Sequence, residues 1–300
     1  MQQRISRRDF AGAVTLGLGL ACLPTIQGGT KRRLKIGHTG ITWGFKPENA
    51  PDAINDVASL GYSGYESFGN VLESWEAKGG LKPVLDERKL RLVSAYCPVN
   101  LLDPAKKTDE ISKMVRWGKL IQKCGGSISV IGPTSVKRES FDFQANRANI
   151  IATLNDVGKA LADTGVIGVL HQHTGTCIES RDETYNVMEA VDTRYVKFGP
   201  DVGQLQKGGV DPVKVVSDFV EVIHHVHLKD YNGGPDFLGY CPLGQGKVDV
   251  PKILDLLEKS KIKSMIMVEL DPADPMPMKP RETAEISKAY LQKTGYKFRA

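Results

Sequence analysis

From Leu34 to the C-terminus the chain repeats one pattern, a short apolar run of strand length followed by a longer amphipathic stretch of helix length. Eight runs read as strands, at 34–39, 63–68, 90–97, 127–132, 167–173, 195–202, 222–228 and 265–270. The stretches between them read as helices, among them 51–60, 109–123, 143–164, 181–191, 211–220, 250–260 and 281–293. Glycines follow the apolar pattern where helices end, as in Leu60-Gly61, Cys124-Gly125-Gly126 and Thr164-Gly165. Strands with almost no polar alternation belong to parallel sheets covered on both faces, and eight such units over about 250 residues predict a single (β/α)8 barrel. An open doubly wound sheet is the alternative. It is disfavoured because no Gly-x-Gly-x-x-Gly follows a strand and no Gly-Lys-Ser/Thr loop occurs.

In such a barrel the carboxyl ends of the strands converge, so the polar residues there carry the chemistry. Four consecutive runs carry His171, Asp201, His227 and Glu269 at or near their C-terminal ends. An acidic residue after a strand can instead cap the next helix, and a lone histidine can be a satisfied core residue. Four at successive strand ends are better explained as ligands of one divalent cation, manganese, cobalt or zinc by their mixed imidazole and carboxylate character, with magnesium possible. His225 alternates with His227 and competes with it for the inward position. The connections 69–80, 98–108 and 231–248 are long, contain Gly or Pro, and are expected to shape a substrate pocket. A loop such as 231–248 could also reach a neighbouring subunit of a homo-oligomer.

A formal charge of +5, from 40 basic and 35 acidic residues, is mild. With no basic stripe interleaved with aromatics, nucleic-acid binding is not expected. At the N-terminus, Ser6-Arg7-Arg8-Asp9-Phe10 precedes an uncharged run from Ala11 to Ile26, too short for a membrane span. It resembles a twin-arginine signal peptide over residues 1–30, which predicts use of the twin-arginine export machinery and a periplasmic or exported mature domain, 31–300. An uncleaved anchor or a lipoprotein through Cys22 are weaker readings. Cys97, Cys124, Cys177 and Cys241 lack any Cys-x-x-Cys spacing and are read as free thiols.

The runs Leu170-His171-Gln172-His173-Thr174-Gly175-Thr176, Asp201-Val202-Gly203, His225-Val226-His227-Leu228-Lys229-Asp230 and Leu243-Gly244-Gln245-Gly246 together resemble the xylose-isomerase-like barrel superfamily, nearest its inosose dehydratase branch. The resemblance places the metal ligands at His171, Asp201, His227 and Glu269, and favours His227 over His225. It implies a keto-sugar or keto-cyclitol substrate reacting through an enediolate, which a divalent cation would stabilise. Two departures bear on the reaction. Related ketose 3-epimerases carry a proton-exchanging glutamate where this chain has His171, and Asp-x-x-His where it has Asp201 followed by Gln204.

Epimerisation needs two exchanging groups, whereas elimination of water needs one base and one acid. A dehydratase or 3-keto-glycoside lyase is therefore favoured over an epimerase or aldose-ketose isomerase. A non-catalytic periplasmic carbohydrate-binding protein is the further alternative. Candidates for proton transfer are His173, Glu269, Lys229 and Glu66. Trp43, Glu66, His173, Gln204 and Lys229 are candidates for holding substrate, although Lys229 and Asp230 could simply pair with each other.

Overall fold

The computed structural model describes residues 32–300, so the segment read as a signal peptide, its arginines and Cys22 lie outside the described residues. Eight parallel strands form one curled sheet: β1 (Ile36–Thr39), β2 (Gly64–Phe68), β3 (Arg91–Pro98), β4 (Ile128–Gly132), β5 (Ile167–Leu170), β6 (Val196–Phe198), β7 (Val226–Leu228) and β8 (Ile266–Val268). Their order is β6-β5-β4-β3-β2-β1-β8-β7, the cyclic order of a barrel cut between β6 and β7. Single bridges, Phe198 to Ile223 and Asp201 to His227, span that cut. They are supported by backbone hydrogen bonds from Phe198 to Val222, His224 to Phe198 and His227 to Pro200.

Among the described residues ten helices accompany the strands: α1 (Ala50–Ser59), α2 (Gly69–Glu76), α3 (Lys82–Glu87), α4 (Lys107–Lys123), α5 (Phe143–Asp163), α6 (Arg181–Met188), α7 (Val202–Lys207), α8 (Pro212–Phe219), α9 (Val250–Lys259) and α10 (Pro280–Lys293). The main hydrophobic core lies where their apolar faces meet the outward side chains of the strands, for example Ile54, Val57, Leu154 and Leu254 with Ile36, Leu170 and Leu228. Two small separate clusters occupy the other face, Val93 with Met265 and Met267, and Ile128 with Val130 and Val169. Side chains alternate along a strand, so Met265, Met267 and Glu269 share one face, as do Val169 and His171. The barrel interior is thus apolar below and polar where the strands end, and this places the functional site.

The sequence reading differs from the structure in several places. Strands read as 167–173 and 195–202 stop at Leu170 and Phe198, leaving His171 and Asp201 just past the strand ends. The connection read as a loop over 69–80 opens with α2, which packs on α4. There Glu73 accepts from the Trp117 indole at 2.9 Å and from Arg116 at 3.1 Å. Val202, read as strand, begins α7 because the Asp201 Oδ1 atom accepts from the backbone N–H groups of Gly203 and Gln204, at 2.9 and 3.0 Å.

Candidate metal centre

Asp201 serves two elements at once. One oxygen caps α7, and the other, Oδ2, faces the ends of the strands 2.8 Å from Lys229 Nζ. The capping and ligand readings of this residue are therefore compatible, since a carboxylate has two oxygens. His171, Asp201 and His227 are all buried, and one potential ligand atom from each lies within 4.8 Å of the others. Glu66, His225 and His227 form a second such group. Residues two apart on a strand point the same way, so His225 and His227 do not compete for the inward position; both occupy it. Glu66 joins them, with Oε2 2.8 Å from His225 Nε2 and Oε1 2.9 Å from His227 Nε2. Ser94 donates to Glu66 at 2.6 Å.

Glu269 lies against the other side of the His227 ring, 3.0 Å from Nδ1, and its second oxygen is 2.6 Å from Lys229 Nζ. Lys229 also donates to Asp271 Oδ1 at 2.9 Å. It is wholly buried, so it meets three carboxylates and no solvent. The earlier alternatives for Lys229 are corrected on two counts. Asp230, its neighbour along the chain, points away and accepts from four backbone N–H groups of the following loop, so the two do not pair. Burial opposes the charge on Lys229, but Asp201, Asp271 and Glu269 outweigh it and hold the ammonium well above the ordinary lysine value. A lysine surrounded by three carboxylates and absent from the cavity wall stands in this structure as an internal counter-ion rather than as a substrate contact. Gly203 makes its approach possible, because a Cβ there would stand 2.6 Å from Lys229 Cγ.

The imidazoles divide by neighbourhood. Burial, reinforced by His227 and His173, keeps His171 well below the usual histidine value, which leaves one ring nitrogen bare as an acceptor or ligand. Burial would do the same to His227, but Glu269 and Glu66 outweigh it and raise that ring well above. Burial raises the Glu66 carboxyl, yet His227 and His225 prevail and keep it ionised. Glu269 is likewise held well below the usual carboxyl range, by His227 and Lys229 against its burial.

The residues fit a divalent cation. His171 Nδ1, Asp201 Oδ2 and both nitrogens of His227 are buried without an aligned hydrogen bond. The contacts of Asp201 and His227 quoted above are at ion-pair distance but off the line a hydrogen bond needs. Buried polar atoms without such partners are exceptional in folded proteins, and here one potential ligand atom from each of two imidazoles and a carboxylate lies within 4.8 Å of the others, a donor set suited to transition metals. As a ligand, His227 would bind through a bare ring nitrogen, so a cation would compete with the proton that Glu269 and Glu66 favour there.

A cavity of about 200 Å³ opens beside this cluster, lined by Ile41, Glu66, Phe68, Tyr96, His171, His173, His227, Glu269 and Asp271. Of the residues read from the sequence as site candidates, His171, His173, His227, Glu66 and Glu269 line it, and Asp201 stands behind His227. Trp43 does not reach it. Its indole N–H donates to Asp56 at 2.9 Å and its ring edge meets His38, so Ile41 supplies the wall from the segment after β1. Gln204 is buried behind His173. Sequence reasoning assigned nothing to Asp271, Tyr96 or Phe68. Alternation was the usable signal, since Asp271 shares a face with Glu269 and Tyr96 with Ser94. Tyr96 meets His171 edge-on with ring centroids 5.6 Å apart, and burial pushes its phenol well above the ordinary tyrosine value.

The sequence model described as xylose isomerase-like TIM barrel matches residues 54–294. Among characterised relatives, the inosose dehydratase of Clostridium botulinum (strain Alaska E43 / Type E3) is 26% identical over 296 residues, covering 87% of this chain and 97% of that protein. Among solved structures, the probable 3-DHS dehydratase involved in petrobactin synthesis from Bacillus anthracis superposes with a TM-score of 0.72 at 15% identity, over 86% of this chain and 99% of that one. The apo 3-keto-D-glucoside 4-epimerase of E. coli superposes with a TM-score of 0.69 at 16% identity, over 87% of this chain and 100% of that one.

Proposed function

This chain belongs to the xylose isomerase-like TIM barrel family, and from that premise we propose that it is a metal-dependent lyase that eliminates water, or a comparable leaving group, from a keto-sugar or keto-cyclitol. The observation that carries the reading is the buried set of unpartnered ligand atoms on His171, Asp201 and His227 beside a cavity walled by the carboxylates Glu66, Glu269 and Asp271. His171, Asp201 and His227 would hold the cation, with Glu269 as the fourth donor. A divalent ion there supplies Lewis acidity toward the substrate carbonyl oxygen.

The chain's own groups then divide the work. Glu269 lines the cavity and is ionised, with lone pairs beyond those facing Lys229 and His227. It takes the proton from the carbon next to the carbonyl. The electron pair left on carbon forms the new double bond as the β-hydroxyl departs, and the proton on Glu269 passes to that hydroxyl, so the products are an unsaturated ketone and water. Lys229 keeps Glu269 and Asp201 in place without entering the cavity. Glu66, anchored by Ser94 and His225, presents a fixed acceptor to substrate hydroxyls.

Epimerisation is the second reading, favoured by one observation: Glu66 and Glu269 line the same cavity on opposite ring nitrogens of His227, so two carboxylates could exchange protons there. The inosose dehydratase relative supports the lyase. Incubation with a keto-inositol or a 3-keto-glucoside is expected to yield an ultraviolet-absorbing enone in a metal-dependent reaction. His227→Ala and Asp201→Ala should lose divalent-metal affinity by roughly 100-fold or more, at least the loss typical of residues supporting a ligand from outside. Equal metal content in all three proteins removes the metal centre. A stereoisomer of unchanged mass carrying solvent deuterium replaces the lyase with the epimerase, and binding without turnover replaces both with a carbohydrate-binding protein.

The export reading rests on Ser6-Arg7-Arg8-Asp9-Phe10 ahead of an apolar run. Twin-arginine recognition depends on the guanidinium pair, so Arg7→Lys with Arg8→Lys should retain the protein in the cytoplasm, followed by fractionation and immunoblot. Unchanged periplasmic delivery of the double variant refutes it.

A further inference from the structure

We infer that Gln204 is a positioning residue that fixes His173 as the Nδ1–H tautomer with Nε2 as the acceptor, and so turns the basic nitrogen of that ring toward α7 rather than toward substrate. The inference refines the lyase reading, in which His173 lines the cavity. It begins with the amide. Gln204 is 2% exposed, and its Oε1 lies 3.3 Å from the Thr174 backbone N–H and 2.6 Å from Thr174 Oγ1. A backbone N–H can only donate, so the atom facing it is the oxygen. At the other end, Nε2 lies 3.2 Å from Asp271 Oδ2, in a carboxylate that meets Lys229 through its other oxygen. The two anchors orient the amide independently, and they agree.

With the amide so oriented, its NH2 group also lies 2.8 Å from His173 Nε2. A donor there requires a lone pair on Nε2. On the far side of the ring, Nδ1 is 2.6 Å from the Thr174 carbonyl oxygen, which can only accept, so Nδ1 carries the hydrogen. The tautomer is thus set from both ends. All four bonding valences of the Gln204 amide are engaged, two by Thr174, one by Asp271 and one by His173, leaving none for a substrate hydroxyl.

Two consequences follow for the reaction. Gln204 is not a substrate contact, and His173 offers the cavity a fixed ring whose nitrogens are both engaged, which leaves proton transfer to Glu269. Gln204 also ties His173 after β5 to Asp271 after β8, which stands next but one to the proposed base Glu269. A histidine or an apolar residue at 204 could not supply this combination, since only a primary amide accepts from Thr174 while donating twice.

The test is nitrogen NMR of protein labelled in its histidine rings and glutamine side chains, both metal-free and zinc-loaded, with His173 assigned by its absence in His173→Asn. The parent protein should show a hydrogen-bearing Nδ1 and a bare Nε2 for His173, with scalar coupling between Nε2 and the Gln204 amide nitrogen. Gln204→Met should abolish the coupling and lower kcat at least ten-fold, with KM and zinc content within two-fold of the parent. A hydrogen-bearing Nε2 in the parent, or no coupling there, overturns the inference even if Gln204→Met fails to fold. Normal kcat in a folded Gln204→Met protein overturns the positioning role. The NMR result does not depend on turnover of any keto-sugar, so failure of the lyase reading and failure of this one are separable.

Discussion

Replacing Lys229 by methionine is expected to lower the midpoint of thermal unfolding of the metal-free protein by roughly 10 °C. The substitution keeps the length of the side chain and most of its packing, so the change isolates the charge. Lys229 is wholly buried, with Asp201, Glu269 and Asp271 at 2.8, 2.6 and 2.9 Å. Removing one partner of a buried ion pair leaves an uncompensated charge and costs about 3–5 kcal/mol. In a domain of this size each kcal/mol shifts the midpoint by about 2–4 °C. Lys261→Met is the control. Its ammonium lies 3.3 Å from Glu221, but both side chains are largely exposed, at 89% and 69%, and such pairs contribute about 0–1 kcal/mol. Differential scanning calorimetry of both variants decides the matter. Equal midpoints would mean that the Lys229 cluster is not a compensated buried charge network.

Asp230→Ala is expected to cost a similar amount, about 3–5 kcal/mol, for a different reason. The Asp230 side chain is buried and accepts from the N–H groups of Tyr231 and Val248 through Oδ1, at 2.9 and 3.1 Å, and of Gly244 and Gly246 through Oδ2, both at 3.0 Å. Each buried donor left without an acceptor costs about 1–3 kcal/mol, reduced where the loop can relax toward water. Gly246 is needed for the approach, since a Cβ there would lie 2.0 Å from Asp230 Oδ1. The same loop carries Tyr240, whose ring lies 4.8 Å from Lys229 Nζ and helps close the counter-ion off from solvent.

Asp230→Asn should be nearly as damaging as alanine, because it points an NH2 group at two N–H donors. Urea denaturation, with hydrogen exchange at Gly244, Gly246 and Val248, tests both variants. An asparagine variant as stable as the parent would show that the carboxylate's second oxygen is not holding the loop.

Much of the barrel was legible because its strands are covered on both faces. Stretches such as Ile128–Gly132 are buried throughout and stand out as short apolar runs without polar alternation. Their ends were not legible. The run read over 195–202 carries on through Gly199, Pro200 and Asp201, while the regular strand stops at Phe198, and only backbone geometry records where it ends. The helices α3 and α7 escaped because six residues each are too few for helical periodicity to show, and α2 was read into the connection 69–80 because glycines bound it at Gly69 and at Gly79-Gly80.

In the site, His171, Asp201, His227 and Glu269 could be singled out from the chain itself, since their position at successive strand ends is a property of the linear pattern. Which atom of each faces the cluster could not. The roles of Lys229 and Gln204 depend on Asp201, Asp271, Thr174 and His173, partners tens of residues away that only closure of the sheet brings within 3.3 Å. Burial then decides the chemistry, because a lysine surrounded by carboxylates is a counter-ion and an amide with every valence engaged is a clamp. Periodicity and strand-end chemistry are local and survive in one dimension. Charge compensation, hydrogen-bond direction and access to the cavity are pairwise properties of residues distant in sequence, and they exist only once the chain has folded.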